Sequence, residues 1–596
     1  MASSIEVKSE ENLIKMLEDS RKKFADRPLF GTKRNGIYEW TSYEEFAQKV
    51  DYFRGGLAYL GITAGDKVAV ISKNTEEWAV SAYSTYGLCG QHIPMYETQM
   101  PKEWEYIIRD CGAKVLLVSN EAIYELTRKF PDQIDTLEHV ILLSGTTGKD
   151  VQTYEDLIKI GIEKPFEVIR PESQTPMGMI YTSGTTGNPK GVVLSHRNLI
   201  FECSVVTPLL GMDQDVRTLA FLPWAHVFGQ VAEVHGIIGC GGSAGLVDDV
   251  NTLIDELGVV KPNVFFAVPR VYNRIYDRLK EQMNEKPGFI RSLFYGGLKQ
   301  AKREREGEKL GFLDNVILTL ARKIIFKKIL NRFGGNLRIA VSGASALSPM
   351  VAEFVNDIGI SLYEGYGLSE NTAALTVNYP GARRFGSVGK SLSGVKIEID
   401  KSVKGSKEED GEIVAYGENI MLGYHNLPKE NKKCINEKGG LRTGDLGHFD
   451  EDGFLYITGR VKEQYKLENG KFVAPAPLEE SLKLSAYIDQ VMLYGFNRPF
   501  NVALIVVAMP VVEKYAQEKG IPGIGESLFS EPPIKKLFKD QLEIFGKEFK
   551  GFEHPQKFLL LSEEWNIDNG MLTPTLKLKR TEVEERFKKQ IIGLYS

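Results

Sequence analysis

Tyr181-Thr182-Ser183-Gly184-Thr185-Thr186-Gly187-Asn188-Pro189-Lys190-Gly191 follows directly on the apolar run Met177 to Ile180. The stretch holds Thr182, Ser183, Thr185 and Thr186 as hydroxyl donors, Gly184, Gly187 and Gly191 as flexible points, and Lys190 as a cation. Glycines let the backbone turn tightly and aim its N–H groups at an anion, and one lysine offsets charge without imposing a fixed geometry. The composition therefore suits a triphosphate. A Walker A loop would need Gly-Lys-Ser/Thr opening a helix, whereas Lys190 is followed by Gly191 and the strand-like Val192-Val193-Leu194. The kinase and GTPase architectures built on that loop are not supported. On composition alone, a solvated Gly/Ser/Thr surface loop would read the same way.

Outward from this loop, strand-like runs alternate with helical stretches. The runs are Lys67 to Ile71, Lys114 to Val118, His139 to Leu143, Leu219 to Leu222, Asn263 to Val268 and Leu337 to Val341. Helical spacing marks Ser42 to Leu60 and Pro349 to Ile358. The alternation predicts an α/β class, with a large N-terminal domain of layered, mostly parallel sheets and helices. From about 390 to 458 the pattern shortens to Lys396 to Ile399, Gly411 to Ala415 and Phe454 to Ile457 between Gly- and Asp-rich turns, which predicts a β-rich subdomain. Beyond it lie a polar loop from Lys466 to Lys471, a helix, a strand pair near Gln490 to Val507 and further helices. We expect a domain of residues 1–458 and a small α+β domain of 459–596.

Composition narrows the function classes. A chain of 596 residues exceeds one core, and 42% hydrophobic with 26% charged residues excludes disorder, collagen-like repeats and coiled coil. A formal net charge of -5 gives no global attraction for nucleic acid, so no nucleic-acid partner is expected. Cys89, Cys111, Cys203, Cys240 and Cys434 are scattered without a CxxC pair, arguing against a disulfide framework or a zinc site and for a reducing compartment. The acidic stretch Met1 to Ser20 lacks the features of a signal or transit peptide, and the apolar run Val502 to Val512 is too short to span a bilayer. A cytoplasmic location is expected. Ala321 to Phe333 interleaves Ile324, Ile325, Ile329, Leu330 and Phe333 with Arg322, Lys323, Lys327, Lys328 and Arg332. That pattern fits a helix peripheral to an anionic membrane, or a helix packed on the core with a solvated cationic face.

The opening loop resembles the signature of the adenylate-forming (AMP-binding) superfamily, which includes acyl-CoA synthetases, coumarate ligases and firefly luciferase. Further stretches resemble that family's motifs in the same order. Glu364-Gly365-Tyr366-Gly367-Leu368-Ser369-Glu370 resembles the one ending Tyr-Gly-x-Thr-Glu, with Ser369 in place of Thr. The resemblance implies that Tyr366 stacks on adenine, with Gly365, Gly367 and Ser369 around the nucleotide, and that Glu370, with Thr182, binds Mg2+. Leu441-Arg442-Thr443-Gly444-Asp445-Leu446 resembles the segment whose aspartate accepts hydrogen bonds from the ribose diol. Pro223-Trp224-Ala225-His226-Val227-Phe228-Gly229 resembles the segment that sets a histidine, here His226, between adenylate and acyl pocket. Gly459-Arg460-Val461-Lys462 resembles the hinge, with Lys462 at the pivot and Arg460 and Lys466 near the nucleotide. Many relatives have Asp where this chain has Gly459, so that position carries no information by itself. Leu572-Thr573-Pro574-Thr575-Leu576-Lys577-Leu578-Lys579-Arg580 resembles the segment delivering the adenylation lysine, assigned to Lys577 with Lys579 as competitor.

The resemblance spans nearly the whole chain. It implies ATP-dependent conversion of a carboxylic acid to an acyl adenylate, with loss of pyrophosphate, and then transfer to coenzyme A. Before transfer the small domain would turn about Lys462, and Gly470 would let the thiol pass close to the backbone. Val68 to Trp78, the insertion before Leu337 and Lys466 to Glu480 look most like long-chain fatty acyl-CoA synthetases. Medium-chain or aryl acids, an acceptor other than coenzyme A, oxidation as in luciferases, and a non-catalytic scaffold are the alternatives. Lys190, Glu370, Asp445 and Lys577 are all present, which a scaffold would not require. The sequence gives no oligomeric state.

Overall fold

Strands Lys67–Ile71, Gln91–Met95, Val115–Val118 and His139–Leu142 lie side by side in parallel. Apart from the partly buried Val140, their Val, Ile and Leu side chains are almost wholly shielded, as in strands covered by helices on both faces. The computed structural model describes residues 11–145, 151–182, 188–403, 409–573 and 576–596. On one side this sheet continues through Pro176–Thr182, Lys190–Ser195 and the edge strand Gly423–Tyr424, giving seven strands. The last two pairings are antiparallel, so the expected parallel sheet is mixed at the end that carries the opening loop. Thr182 pairs with Lys190, so the two feet of residues 183–187 are fixed on adjacent strands. The calls on Ser183, Gly184, Thr185, Thr186 and Gly187 fall outside the described residues.

A second sheet places Val264–Ala267, Ile339–Ser342 and Ser361–Tyr366 in parallel, then adds two short antiparallel strands. A third joins Arg217–Ala220 and Ser243–Leu246 to the hairpin Pro28–Arg34 and Ile37–Ser42. That hairpin was not read in the sequence, although Asn35-Gly36, with φ values of 49° and 82°, is the turn such hairpins favour. Its second strand is only partly buried and carries Glu39, so its alternation is weak. Helix Tyr43–Tyr59 starts where Ser42 and Glu45 form a reciprocal cap, close to the expected Ser42. The insertion before Leu337 is a helical hairpin, Gly288–Arg305 and Phe312–Ala321, the latter running on through a π turn to Arg332. All five cysteines are free.

The β-rich part is a four-stranded antiparallel sheet of Lys396–Asp400, Gly411–Tyr416, Leu441–Phe449 and Leu455–Arg460. The chain leaves it at Arg460, which pairs with Asp445, and Glu463 and Gln464 then donate to the Arg460 carbonyl in a turn holding Lys462. Beyond it, Ile488–Tyr494, Asn501–Val507 and Pro555–Leu561 form a separate three-stranded sheet. Two hydrophobic clusters flank that sheet, built from residues between Leu478 and Ile591.

Candidate active site

The carboxyl ends of the second sheet and the far end of the four-stranded sheet meet in one cleft. Asp445, buried on Leu441–Phe449, accepts from the Tyr366 hydroxyl at 2.7 Å and from Arg460 Nε at 2.6 Å. A carboxylate offers about four lone-pair positions, so two acceptor positions remain for a vicinal diol. Burial, and secondarily Asp445, push the Tyr366 hydroxyl well above its ordinary range, so it stays a donor and fixes the ring plane. Gly367 allows no side chain: a Cβ there would lie 2.1 Å from the Ala373 carbonyl oxygen. The chain folds back at that point through Thr372 and Ala373, with φ values of 60° and 98°, a strained path held by Thr372 Oγ1 donating to Asn419 O at 2.7 Å.

Glu370 sits on the short turn Ser369–Asn371. Its carboxylate accepts from the Tyr424 hydroxyl at 2.7 Å and has no other bonded partner among the described residues. Lys190 reaches the same tyrosine from the other side, its ammonium 5.1 Å from the ring centre. Tyr424 thus joins the foot of the opening loop to Glu370, a role the sequence did not reveal. Lys190 is not free: it pairs with Glu430 at 2.6 Å, and Lys190 first, then Lys433, holds that carboxylate down to about 2. A phosphate would have to displace Glu430. The described residues contain no cluster of three or more His, Cys, Asp or Glu that could cage a metal. A single available carboxylate with nearby hydroxyl oxygen suits magnesium, which is held by one or two carboxylates plus substrate phosphates.

His226 accepts from the Phe228 N–H at 3.2 Å through Nδ1, which places its proton on Nε2. Burial, and after it the charge of Lys577, lower its pKa to about 4, so the ring is neutral at physiological pH. It stands at one wall of a mostly apolar cavity of about 750 Å³, counting all space between atoms. Helix His196–Leu209, the π-helical turn Gln230–His235, the Ser342 to Ala344 loop and Gly365 to Leu368 enclose this space. Ala344, with a φ of 71°, belonged to no motif read in the sequence.

The small domain contributes Lys577 from a tight turn. Its N–H donates to Thr573 Oγ1 at 3.0 Å, its carbonyl accepts from Thr573 N at 2.8 Å, and Leu576 adopts a φ of 60°. The side chain is solvent-accessible yet walled by protein, and its pKa falls through desolvation first and then repulsion from Arg460. Glu370, Asp445 and Glu463 oppose that fall, so Lys577 shares the electrostatic field of the cleft. Tyr366, Glu370, Asp445, Arg460, His226 and Lys577 are therefore brought together. Lys466 is not: it lies on the hairpin Tyr465–Lys466/Phe472–Val473 with its ammonium 5.7 Å from the Phe472 ring centre, and Gly470 turns that hairpin with a φ of 84°. Gly459 proves informative after all. At a φ of 156°, a Cβ there would stand 2.8 Å from Ala474 Cβ, so glycine gives Ala474 room to pack against this strand.

Residues 17–425 match the family described as AMP-binding enzyme. The human protein Long-chain-fatty-acid–CoA ligase 6 is 31% identical over 589 residues, covering 94% of this chain and 83% of that one. Long-chain-fatty-acid–CoA ligase FadD15 of Mycobacterium tuberculosis is 28% identical, over 98% of this chain and 97% of its own. Among solved structures, an anthranilate CoA ligase in complex with anthranoyl-AMP aligns with a TM-score of 0.76 at 19% identity, over 98% of this chain and 99% of that one. The adenylation domain of a carboxylic acid reductase from Segniliparus rugosus, in complex with AMP and a co-purified carboxylic acid, gives 0.76 at 20% identity, over 99% and 95%. These structures share the arrangement of a large N-terminal and a small C-terminal domain.

Proposed function

Because the chain belongs to the AMP-binding enzyme family, we propose that this cleft carries out both half-reactions of a long-chain fatty acid–CoA ligase. The enzyme activates a fatty acid with ATP and passes the acyl group to coenzyme A, as the long-chain ligases it matches along most of its length are named to do. The observation that carries the reading is the meeting of Glu370, Asp445 and Arg460 with Lys577 of the small domain, beside an apolar cavity. We place the domain boundary at Gly459, where the four-stranded sheet ends and the separately packed C-terminal part begins.

In the first half-reaction a carboxylate oxygen attacks the α-phosphorus of ATP, the bond to the β-phosphate breaks, and pyrophosphate leaves. Asp445 holds the ribose and Tyr366 stacks on the adenine. The loop 183–187 and Lys190, once released from Glu430, receive the departing phosphates. Lys577 offsets the charge that accumulates between nucleophile and leaving group, an electrostatic role suited to a desolvated ammonium. Neutral His226 offers its Nε2–H to the carboxyl group. Magnesium, held by Glu370 and the Thr182 hydroxyl, supplies further neutralisation of the phosphates when bound. In the second half-reaction the sulfur of coenzyme A attacks the acyl carbon, the bond to AMP breaks, and the thiol proton passes to solvent. Rotation about Lys462 withdraws Lys577 and brings in the hairpin with Lys466 and Gly470, a domain-scale step.

Peripheral membrane contact belongs to the proposal, because the substrate is a lipid. The described residues contain no helix long and apolar enough to cross a membrane. The test is acyl-CoA formation with a panel from octanoate through hexadecanoate to benzoate, with AMP and pyrophosphate counted. Hexadecanoate should give the highest kcat/KM, with one AMP and one pyrophosphate per thioester. Preference for the aryl acid, or release of ADP, would overturn it.

A further inference from the structure

Within the sequence stretch Ala321 to Phe333, Ile325, Phe326, Ile329 and Phe333 turn inward and are buried against the core, while Ile324 faces out. One turn earlier the same helix does the opposite. Phe312 is 83% exposed, Leu313 74%, Val316 40%, Leu320 43% and Ile324 45%. On a helix of about 3.6 residues per turn, positions 312, 313, 316 and 320 fall within about 100° of one another. The π turn Arg322–Phe326 widens the spiral, which keeps Ile324 in line with Leu320. The stripe runs about 20 Å at about 1.5 Å per residue. It is not closed by its neighbour, because the opposite face already packs there. Leu318 and Ala321 are buried, and Arg303–Asp314 at 2.9 Å and an Arg322–Glu304 ion pair tie the two helices together.

Charge indicates what covers the stripe. Between Asp314 and Glu353 the chain has no acidic residue, while Arg322, Lys323, Lys327, Lys328, Arg332 and Arg338 are basic. Lys323, Lys327 and Lys328 are exposed and make no ion pair among the described residues. A protein partner would have to match both a narrow apolar line and an unbroken cationic flank. An anionic bilayer matches both at once, since apolar side chains enter the acyl boundary while lysines stay at the headgroups.

We propose that Phe312, Leu313, Val316, Leu320 and Ile324, flanked by Lys323, Lys327 and Lys328, form the face by which this enzyme lies on an anionic membrane. The inference takes its purpose from the fatty-acid reading: a surface-bound enzyme meets its substrate where that substrate partitions. The surface itself rests on exposure and charge alone.

The full chain is sedimented with phosphatidylcholine vesicles, with and without phosphatidylglycerol. Wild type should bind the anionic vesicles, and added salt should weaken the binding. Two variants, Leu313→Gln/Leu320→Gln/Ile324→Gln and Lys323→Glu/Lys327→Glu/Lys328→Glu, alter only exposed side chains. Each should weaken binding by on the order of tenfold or more. Ligase activity on albumin-delivered hexadecanoate should stay unchanged in both, while activity on vesicle-borne hexadecanoate falls. Equal binding to neutral and anionic vesicles, or wild-type binding by both variants, overturns the proposal. So does a wild-type dimer that the glutamine variant alone dissolves, since the stripe would then be covered by a second copy. Loss of all ligase activity in wild type would overturn the function instead and leave the vesicle result standing.

Discussion

The two halves of the cleft are built differently. On the large-domain side, Asp445 and Tyr366 sit on or at the ends of strands and are joined by a bond of 2.7 Å, with Asp445 shielded from solvent and held also by Arg460, just past the boundary, at 2.6 Å. On the small-domain side, Lys577 stands on a short turn beside a strained Leu576, and Lys462 lies in an exposed turn between sheets. The first half is preorganised by these bonds, and the second is held by few. In the proposed mechanism the first serves both half-reactions, and the second arrives for one and leaves for the other. Variants on the fixed side should therefore damage both half-reactions, and variants on the mobile side only one.

The largest expected effect is on Lys577. Lys577→Ala should slow fatty-acid-dependent ATP–pyrophosphate exchange by about 10²- to 10³-fold, the scale for losing one preorganised electrostatic group. Transfer from preformed acyl-AMP to coenzyme A should survive, and equal loss in both would erase the distinction between the halves. Next comes Asp445→Asn, which weakens the anchors of Tyr366 and Arg460. At about 1.5–3 kcal/mol for a hydrogen bond to a charged group, kcat/KM for ATP should fall about 10- to 100-fold, with acyl-AMP consumption impaired as well. Gly459→Asp tests the closed arrangement itself. Crowding Ala474 should cost roughly 1–3 kcal/mol, reducing pyrophosphate exchange roughly fivefold or more while sparing thioester formation. Adding Ala474→Gly should restore part of the exchange. The smallest effect is expected from Glu430→Gln. Removing a solvent-accessible competitor for Lys190, a kind of pair that contributes little, should lower KM for ATP a few-fold at most.

A pH titration sharpens the same contrast through stability. His92, His196 and His235 are buried in the large domain, and burial lowers each pKa to about 3. The unfolded chain takes up these protons below about pH 6.5 while the folded protein resists them. Stability should therefore be full above that pH and fall as the pH drops toward 3. His196→Phe should reduce the slope in denaturant midpoints measured between pH 6.5 and 4. An unchanged slope would show that His196 does not contribute to it.

Much of the fold was legible because buried strands advertise themselves. Lys67–Ile71 begins and ends where its apolar run does, and the run read as Asn263 to Val268 contains the strand Val264–Ala267. The run read as Leu219 to Leu222 sits two residues too late, because Arg217 pairs within the strand with its guanidinium over the Trp40 ring, a packing an apolar pattern does not sense. In the site, Glu370, Asp445 and Lys577 stood in contiguous motifs. Tyr424 and Glu430 did not, since their roles arise from an edge strand and a helix that meet Lys190 and Glu370 only in space. Gly459 appeared silent because its reason is Ala474, a contact between elements of different parts of the chain. The apolar stripe from Phe312 was hidden for a related reason: periodicity shows that a helix has an apolar face, and only packing shows which face is left uncovered.

Whether one cleft makes acyl-AMP before it makes thioester is decided by a single turnover without coenzyme A. Enzyme, ATP, magnesium and hexadecanoate are mixed, and the bound products are identified before and after a chase with coenzyme A. The account predicts hexadecanoyl-AMP and pyrophosphate in stoichiometric amounts, converted by the chase to hexadecanoyl-CoA and AMP. Absence of acyl-AMP before the chase, or appearance of ADP with an acyl phosphate, would contradict it.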